Sequence, residues 1–449
     1  MKQYKTYKDS GVEWIGEIPE HWKSQDLRYS IDILTDYTSN GSFASLAKNV
    51  NYLESGYSRL VRLTDLRVDL KNEGIYVDEN AHNFLKNSEL FGGELLIANV
   101  GAYAGLIKIM PKLEGKYTLA PNMFLLRTNQ NLKYLFYLLS SPSCAEQLKM
   151  MAVSSAQPKL NKDNIRRVKV VIPSLEEQNQ IANYLNHKTE QLDSLIAKKE
   201  QLIKLLEEER KAVINQAVTK GVNLNVPMKD SGIEWLGEIP EHWEVTRIKY
   251  IGKIISGYSF KSDDFKDEGI RVMKISNIQT MRIDWTDDSY LPYSFLEEYS
   301  RFRINKGDLV FALTRPIIST GIKASIVNED SEILLNQRNA VLKPISKLEI
   351  QWMYYMIFNE AFTQHFESLI DSTGQQPNIS STDIGNISIP LPSKQEQISI
   401  INNIKSKEQK INNTIESFVK EIDLLKEYKT ALISEVVTGK IDIREEILN

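Results

Sequence analysis

Fifteen residues near the start of the chain, "KDSGVEWIGEIPEHW" from Lys8 to Trp22, return as "KDSGIEWLGEIPEHW" from Lys229 to Trp243, with Val12 changed to Ile233 and Ile15 to Leu236. Whatever this chain folds into, it folds into twice. The likeness resumes at "QPKLNKDNIRRVKVVIPSLEEQNQIANYL" (Gln157 to Leu185), which matches "QPNISSTDIGNISIPLPSKQEQISIINNI" (Gln376 to Ile404), and "VTKG" at Val218 answers "VTGK" at Val437. Between these anchors only fragments match, such as "GELLIA" at Gly93 and "GDLVFA" at Gly307. Each half is a variable body followed by a repeated frame. A chain of 449 residues already exceeds the ~250–300 at which one core stops growing, so two or more domains are expected.

The frame reads as helix. Ser174 and Ser393 each follow a proline and stand three residues before a glutamate, Glu177 and Glu396, the spacing of a capping box. Gly221 and Gly439 stand at the far ends, where a left-handed cap stops a helix. Between these marks, alternating steps of three and four pick out Ile401, Ile404, Glu408, Ile411, Ile415, Phe418, Ile422, Leu425, Lys429, Leu432 and Val436. The first-half ladder runs through Ala182, Leu185, Leu192, Ile196, Ile203, Leu206, Val213 and Ala217, interrupted at Thr189, Lys199 and Arg210. A sustained period of about 3.5 residues predicts a coiled coil. Each helix of about 45 residues would be roughly 65 Å long, a spacer.

The bodies, about residues 23 to 156 and 244 to 374, have another texture. Short apolar runs bounded by Gly, Asn, Asp or Pro, such as "ELLIANV", "GLIKIM", "MFLLRT", "IRVMKI" and "DLVFAL", predict strands. Helical patches follow late in each, "LKYLFYLLSSPSCAEQLKMM" and "EIQWMYYMIFNEAFTQHFESLI". The expected fold is two mixed α/β (α+β) domains separated by two long helices that form an antiparallel coiled coil, with an internal pseudo-twofold duplication. The expected divisions are a joint segment over 1–22, a body over 23–173, a helix over 174–220, a second joint over 221–243, a second body over 244–392, a second helix over 393–438 and a tail over 439–449. The tryptophan-rich joints hold too much Gly and Pro for regular structure and read as ordered loops anchored by their rings.

Catalytic motifs are missing. No two glycines stand two apart, so neither a dinucleotide loop nor the glycine loop usual for S-adenosylmethionine is present. Gly115, Gly252 and Gly439 precede lysines, but Tyr117, Ile254 and Ile441 follow where a P-loop needs Ser or Thr. There is no Pro-Pro pair, and the five histidines never fall at H-E-x-x-H spacing; His21 and His242 belong to the joints and read as packing or hydrogen-bonding groups. The acidic run "SDDFKDEG" reads as a solvated face. Cys144 stands alone, so it forms no internal disulfide and reads as a small packed residue. The opening residues lack an apolar leader and no apolar run spans a membrane, so a cytoplasmic protein with no membrane partner is expected. A formal net charge of −4 and a pI near 5.9 do not advertise a nucleic-acid binder, although binding depends on where the cations sit.

Together, the "SGVEWIGEIPEHW" opening, the "GQQPNIS…IPLPSKQEQ" closing run, the long helices and the duplication resemble the specificity (S) subunit of type I restriction-modification systems, over essentially the whole chain. The resemblance implies a non-catalytic chain whose bodies are target recognition domains, each reading one half of a bipartite, interrupted site on double-stranded DNA. It implies helices that space the bodies and dock two modification (methyltransferase) subunits, which carry S-adenosylmethionine chemistry on adenine. A separate restriction (motor and nuclease) subunit joins for cleavage. No cofactor or metal is then expected on this chain. The side chains assigned to the helix seam and its partners are Leu185, Leu192, Ile196, Ile203, Leu206, Val213, Ile404, Ile411, Ile415, Phe418, Ile422, Leu425 and Leu432.

Base readout needs Arg or Lys for guanine and Asn or Gln for adenine, while phosphates take Lys, Arg and backbone amides. Near predicted strand ends of the first body such residues are Lys48, Arg59, Arg62, Asn99, Tyr103 and Lys108, with Gln157 and Lys159 in the closing loop. In the second they are Lys261, Lys274, Asn277, Arg315, Lys323, Arg338 and Asn339, with Gln375, Gln376 and Asn378 closing. The closing loops equally suit a joint-building role, since each precedes the repeated strand "VKVVIP" or "ISIPLP". Two rival readings stay open: a solitary coiled-coil DNA-binding regulator, separated by whether the chain binds its site alone, and a scaffold whose bodies bind proteins, separated by whether it binds DNA at all.

Overall fold

The computed structural model describes residues 2–152, 158–345 and 347–446. It divides into two compact units, Met1–Lys199 with Val419–Asn449, and Glu200–Phe418. The division cuts both long helices, so each unit contains one body and a stretch of each helix.

In the first unit the body is built on two four-stranded sheets. One has the order Ile75–Val77, Ser58–Val61, Tyr117–Leu119, Glu89–Leu90, with Ser58–Val61 parallel to Tyr117–Leu119 and Arg59 opposite Tyr117. The other is antiparallel, in the order Ile33–Asp36, Met123–Arg127, Leu95–Ala98, Ile107–Ile109. Leu95–Ala98 is buried at every position, which is why "LLIA" shows no alternation. The helical patch splits into Leu132–Ser140 and Pro142–Met151, because Pro142 takes the first position of a new helix. Cys144 is buried in this core and burial pushes its thiol up to about 12.

The second unit repeats this topology where the sequence had lost it. One sheet runs Tyr290–Leu291, Ile270–Met273, Ile333–Leu335, Arg303–Ile304, again with its inner pair parallel and Arg271 opposite Ile333. The other runs Gly252–Ser256, Asn339–Pro344, Leu309–Ala312, Ala324–Ile326. Its late patch also splits, into Ile350–Ile357 and Glu360–Ser368. The differences lie in what connects the strands: short helices Phe43–Asn49 and Glu79–Phe84 in the first unit, small hairpins pairing Ile278–Gln279 with Arg282–Ile283 and Ile317–Ile318 with Gly321–Ile322 in the second.

The long helices span Leu175–Lys220 and Lys394–Val437. In the first unit their seam buries Leu185, Ile196, Ile422 and Leu432 and half-buries Leu192 and Leu425. Lys429 Nζ reaches Asp193 at 2.6 Å and Lys199 meets Glu421, so the partner runs backwards as the first helix advances: the pair is antiparallel. In the second unit Ile404 and Ile411 are buried, Ile203, Leu206, Val213, Ile415 and Phe418 half-buried, and Arg210 Nη1 reaches Asn412 Oδ1 at 3.3 Å. The polar breaks in both ladders are therefore partnered positions. Thr189 bonds Tyr137 Oη at 3.0 Å, and Glu408 accepts from Tyr355 Oη at 2.8 Å.

Gly221 and Gly439, with φ of 75° and 73°, end the helices in the left-handed region. The joints depart from the expected irregular loops. Each makes a short hairpin, Tyr7–Asp9 with Glu17–Pro19 and Met228–Asp230 with Glu238–Pro240, its bend formed by two left-handed glycines, Gly11 and Gly16 or Gly232 and Gly237. Trp22 and Trp243 are fully buried anchors, whereas Trp14 is exposed. The capping boxes close on one side only: Ser174 and Ser393 accept from the amides of Glu177 and Glu396, but the carboxylates turn to the joints. Glu177 takes His21 Nε2 at 2.9 Å and Tyr4 Oη at 2.7 Å, and Glu396 takes His242 Nε2 at 3.0 Å. In the first unit the end of the second helix comes back to the first joint. Tyr134 donates to the Val437 carbonyl at 3.3 Å, and Lys2 pairs with Asp442 and with Glu445.

Candidate nucleic-acid interface

In each unit the inner strand of the antiparallel sheet, Leu95–Ala98 or Leu309–Ala312, runs out into a junction with the loop that closes the body. In the first unit Asn99 N donates to Asn122 O (3.1 Å), Leu160 N to Asn99 O (2.8 Å) and Gly101 N to Pro158 O (2.9 Å), while Val100 bridges Lys159. In the second unit Leu313 N donates to Arg338 O (2.8 Å), Ile379 N to Leu313 O (2.9 Å) and Arg315 N to Pro377 O (2.8 Å), while Thr314 bridges Asn378. These three hydrogen bonds and the bridge correspond one to one. The closing loops thus build a joint and also carry exposed polar side chains at a strand end.

The second junction gathers five of the expected residues. Arg315, Arg338, Gln375 and Asn378 are exposed and Gln376 half-exposed. Arg338 Nη1 lies 3.4 Å from Gln376 Oε1, and Thr314 Oγ1 donates to Asn378 Oδ1 at 3.0 Å. Beside them opens a groove of about 420 Å³ whose walls include Thr314, Arg338, Asn378 and Ser380. Donors and acceptors of the kinds that match guanine and adenine edges stand together here.

The first junction gathers fewer. Tyr103 is exposed and lies under the Arg67 guanidinium, 4.7 Å from its ring centroid. Lys159 is exposed and Lys108 half-exposed; Gln157 lies outside the described residues. Asn99 is half-buried, its Oδ1 enclosed without a hydrogen-bond partner among the described residues. Lys48 sits apart on Phe43–Asn49, and Lys261 caps the turn Ser262–Asp264, both exposed.

The remaining expected residues are engaged inside the fold. Arg62 grips Asp65 with Nε at 3.0 Å and Nη2 at 2.7 Å, and Arg59 lies 3.7 Å from the same carboxylate while bonding the carbonyls of Leu70 and Asn72. Burial pushes the Asp65 carboxyl up, but hydrogen bonds from Arg62 and Asn72 outweigh it and hold it below the usual carboxylate range. Asn277 is fully buried and donates to the carbonyls of Asp284 and Asp287. Asn339 is fully buried on Met273 O. Lys323 is buried with Nζ on Ile275 O at 2.6 Å; burial and the nearby Arg315 charge pull its ammonium down. Lys274 is paired with Asp287 at 2.6 Å. These six shape the bodies, and a base edge does not reach the buried ones. The sequence gives no signal for Arg67, which ends the short helix Leu63–Leu66, and for Thr314 only its place just after the strand Leu309–Ala312.

A family model described as the type I restriction modification DNA specificity domain matches residues 48–208 and 240–432, once on each half. The type I restriction enzyme MjaVIII specificity subunit of Methanocaldococcus jannaschii is 31% identical over 415 residues, 92% of this chain and 89% of that one. A putative MjaX specificity subunit of the same organism is 26% identical, covering 96% of both chains. The solved HsdS subunit from Thermoanaerobacter tengcongensis shares the fold with a TM-score of 0.59 at 16% identity, over 94% of this chain and 98% of that one.

Proposed function

Since the chain belongs to the family of type I restriction-modification DNA specificity subunits, we propose that each unit reads one half of an interrupted double-stranded DNA site through the junction of its antiparallel sheet. The observation that carries this is the pair of junctions closed by corresponding backbone bonds but bearing unlike exposed side chains, Tyr103 and Lys159 in one and Arg315, Arg338 and Asn378 in the other. Two unlike readers on one repeated frame correspond to two unlike half-sites at a set gap. The antiparallel helices act as spacer, and exposed apolar side chains along them, Leu195 and Leu424 in the first unit and Leu202 and Leu205 in the second, suit contact with two modification subunits. Those partners hold S-adenosylmethionine and methylate adenine; this chain supplies address and no catalysis, and a restriction subunit joins the same complex. The acidic overall charge is compatible with this, since partners share the phosphate contacts.

The test is a body exchange. Replacing residues 23–156 with the body of a relative is expected to change one half of the methylated site in modified-base sequencing, leaving the other half and the gap intact. A simultaneous change in both halves would defeat the modular reading. Methyl transfer by the purified chain without a modification subunit would defeat the non-catalytic one.

A further inference from the structure

The two junctions share three backbone hydrogen bonds and one bridge but fill one position in opposite ways. Gly101 and Arg315 occupy it, each donating its amide to the proline carbonyl of the closing loop, Pro158 or Pro377. The position demands a positive φ, 84° at Gly101 and 47° at Arg315. Glycine meets that demand at no steric cost; an arginine adopts it rarely. The constraint is tightened in the second unit because Pro316, buried, follows Arg315 and accepts from the Lys323 amide at 2.7 Å. The backbone there is held from both sides.

Among the described residues, the strain supports no contact of the side chain. The Arg315 guanidinium is exposed and makes no hydrogen bond or ion pair among the described residues. Arg315 follows Thr314, a wall residue of the groove, where Thr314 is paired with Asn378, and Arg338 on the same groove is paired with Gln376. It also lowers the ammonium affinity of the buried Lys323 for its proton, an unfavourable cation beside a cation. A strained, unpartnered, exposed arginine that a glycine could replace is explained by a ligand outside the chain.

We infer that Arg315 is a specificity-determining residue that reads a guanine of the half-site recognised by the second unit, and that the first unit, with Gly101 at the equivalent place, makes no corresponding contact. This rests on the DNA-recognition reading above. The guanidinium fork matches guanine O6 and N7 together, the pairing most often used for direct readout. Its fixed backbone aims the fork without the flexibility of an ordinary loop arginine.

The experiment uses the full chain in complex with its modification subunits. Binding and methylation are measured on duplexes carrying the native site and every single-base-pair change in the second unit's half-site. Arg315→Gly is expected to assemble normally and to keep or raise its thermal midpoint, because it removes the strained side chain. It should lose about ten- to a hundred-fold affinity for the native site, with discrimination relaxed at a single G·C pair. Arg315→Asn, which tolerates positive φ, guards against a folding artefact of the glycine and should lose the same discrimination. Arg315→Lys should keep part of the affinity and lose selectivity, since a point charge lacks the fork. An equal loss on all duplexes, with the salt dependence reduced by about one phosphate contact, would make Arg315 a backbone clamp and overturn the proposal. So would unchanged binding. If the unaltered complex shows no bipartite site, the underlying DNA reading fails, and that outcome is distinct from both.

Discussion

The first unit places glycine where the second places arginine, and both donate their amide to a proline carbonyl of the closing loop. The contrast separates two tasks of one backbone. Amides and carbonyls hold the junction closed, and they do so regardless of side chain; the side chains mounted on it are then free to differ. That freedom explains why sequence likeness fails inside the bodies while topology persists. A sheet order is maintained by burial of strands such as Leu95–Ala98 and Leu309–Ala312, which any apolar residue of suitable size satisfies.

A second contrast sits at one sheet position. Arg59 and Arg271 occupy equivalent sites on the parallel strand pair. Arg59 is enclosed and shares the fully buried Asp65 with Arg62, whereas Arg271 meets a partly exposed Asp288 at 3.1 Å. Asp65→Ala should therefore cost about 3–5 kcal/mol, by stranding two guanidinium groups around a lost carboxylate. Asp288→Ala should cost less than about 1 kcal/mol. Urea unfolding compares them directly. Acid sharpens the comparison. With its folded value below the ordinary one, Asp65 stabilises fully above the unfolded value near ~3.9, and that contribution drains as pH falls through the folded value. The gap between the native chain and Asp65→Ala should narrow below about pH 4; a gap that widens there would assign the stability to another group.

The two helix caps differ in surroundings. A Cβ on Gly439 would come within 2.4 Å of Pro19 Cδ and 3.1 Å of Trp22, while one on Gly221 would meet the Trp243 ring at 3.3 Å. Both replacements suffer the positive φ. Gly439→Ala should cost about 3 kcal/mol, adding overpacking to backbone strain, and Gly221→Ala about 1–2 kcal/mol. Equal midpoints in denaturant would show that the first joint yields as easily as the second.

Much of this architecture was legible in the sequence. The glycine caps, the ladder and the strands "LLIA" and "LVFA" follow from local pattern, and pattern survives because burial imposes it. The hairpins of the joints are not legible, because Gly11 and Gly16 look like breakers, though their positive φ is what turns a hairpin. The readout candidates were legible only by type. Arg59, Arg62 and Asn277 have the chemistry of base readers, and only the fold reveals that Asp65 and two backbone carbonyls already use them. Arg315 is marked in the sequence by type and by its place near a strand end, but its strain is not, since the glycine that exposes it stands in a differently spaced loop of the other body.

The smallest expected effects compare the polar breaks in the helix seam. Lys429 pairs with Asp193 near the surface, its side chain 28% exposed and the carboxylate 59%. Glu408 instead accepts from the Tyr355 hydroxyl, on a ring that is 4% exposed. Replacing Lys429 by leucine exchanges an ion pair worth under about 1 kcal/mol for apolar burial in an otherwise apolar stripe, so the change should lie within about 0.5 kcal/mol and weaken the dependence of stability on salt. Replacing Glu408 by leucine leaves an enclosed hydroxyl without its acceptor and should cost about 1–2 kcal/mol despite the same apolar gain. Thermal unfolding at low and high salt separates the two. If Lys429→Leu cost more than Glu408→Leu, the charged pair would be fixing the register of the antiparallel helices, and the seam's apolar residues would be secondary to it.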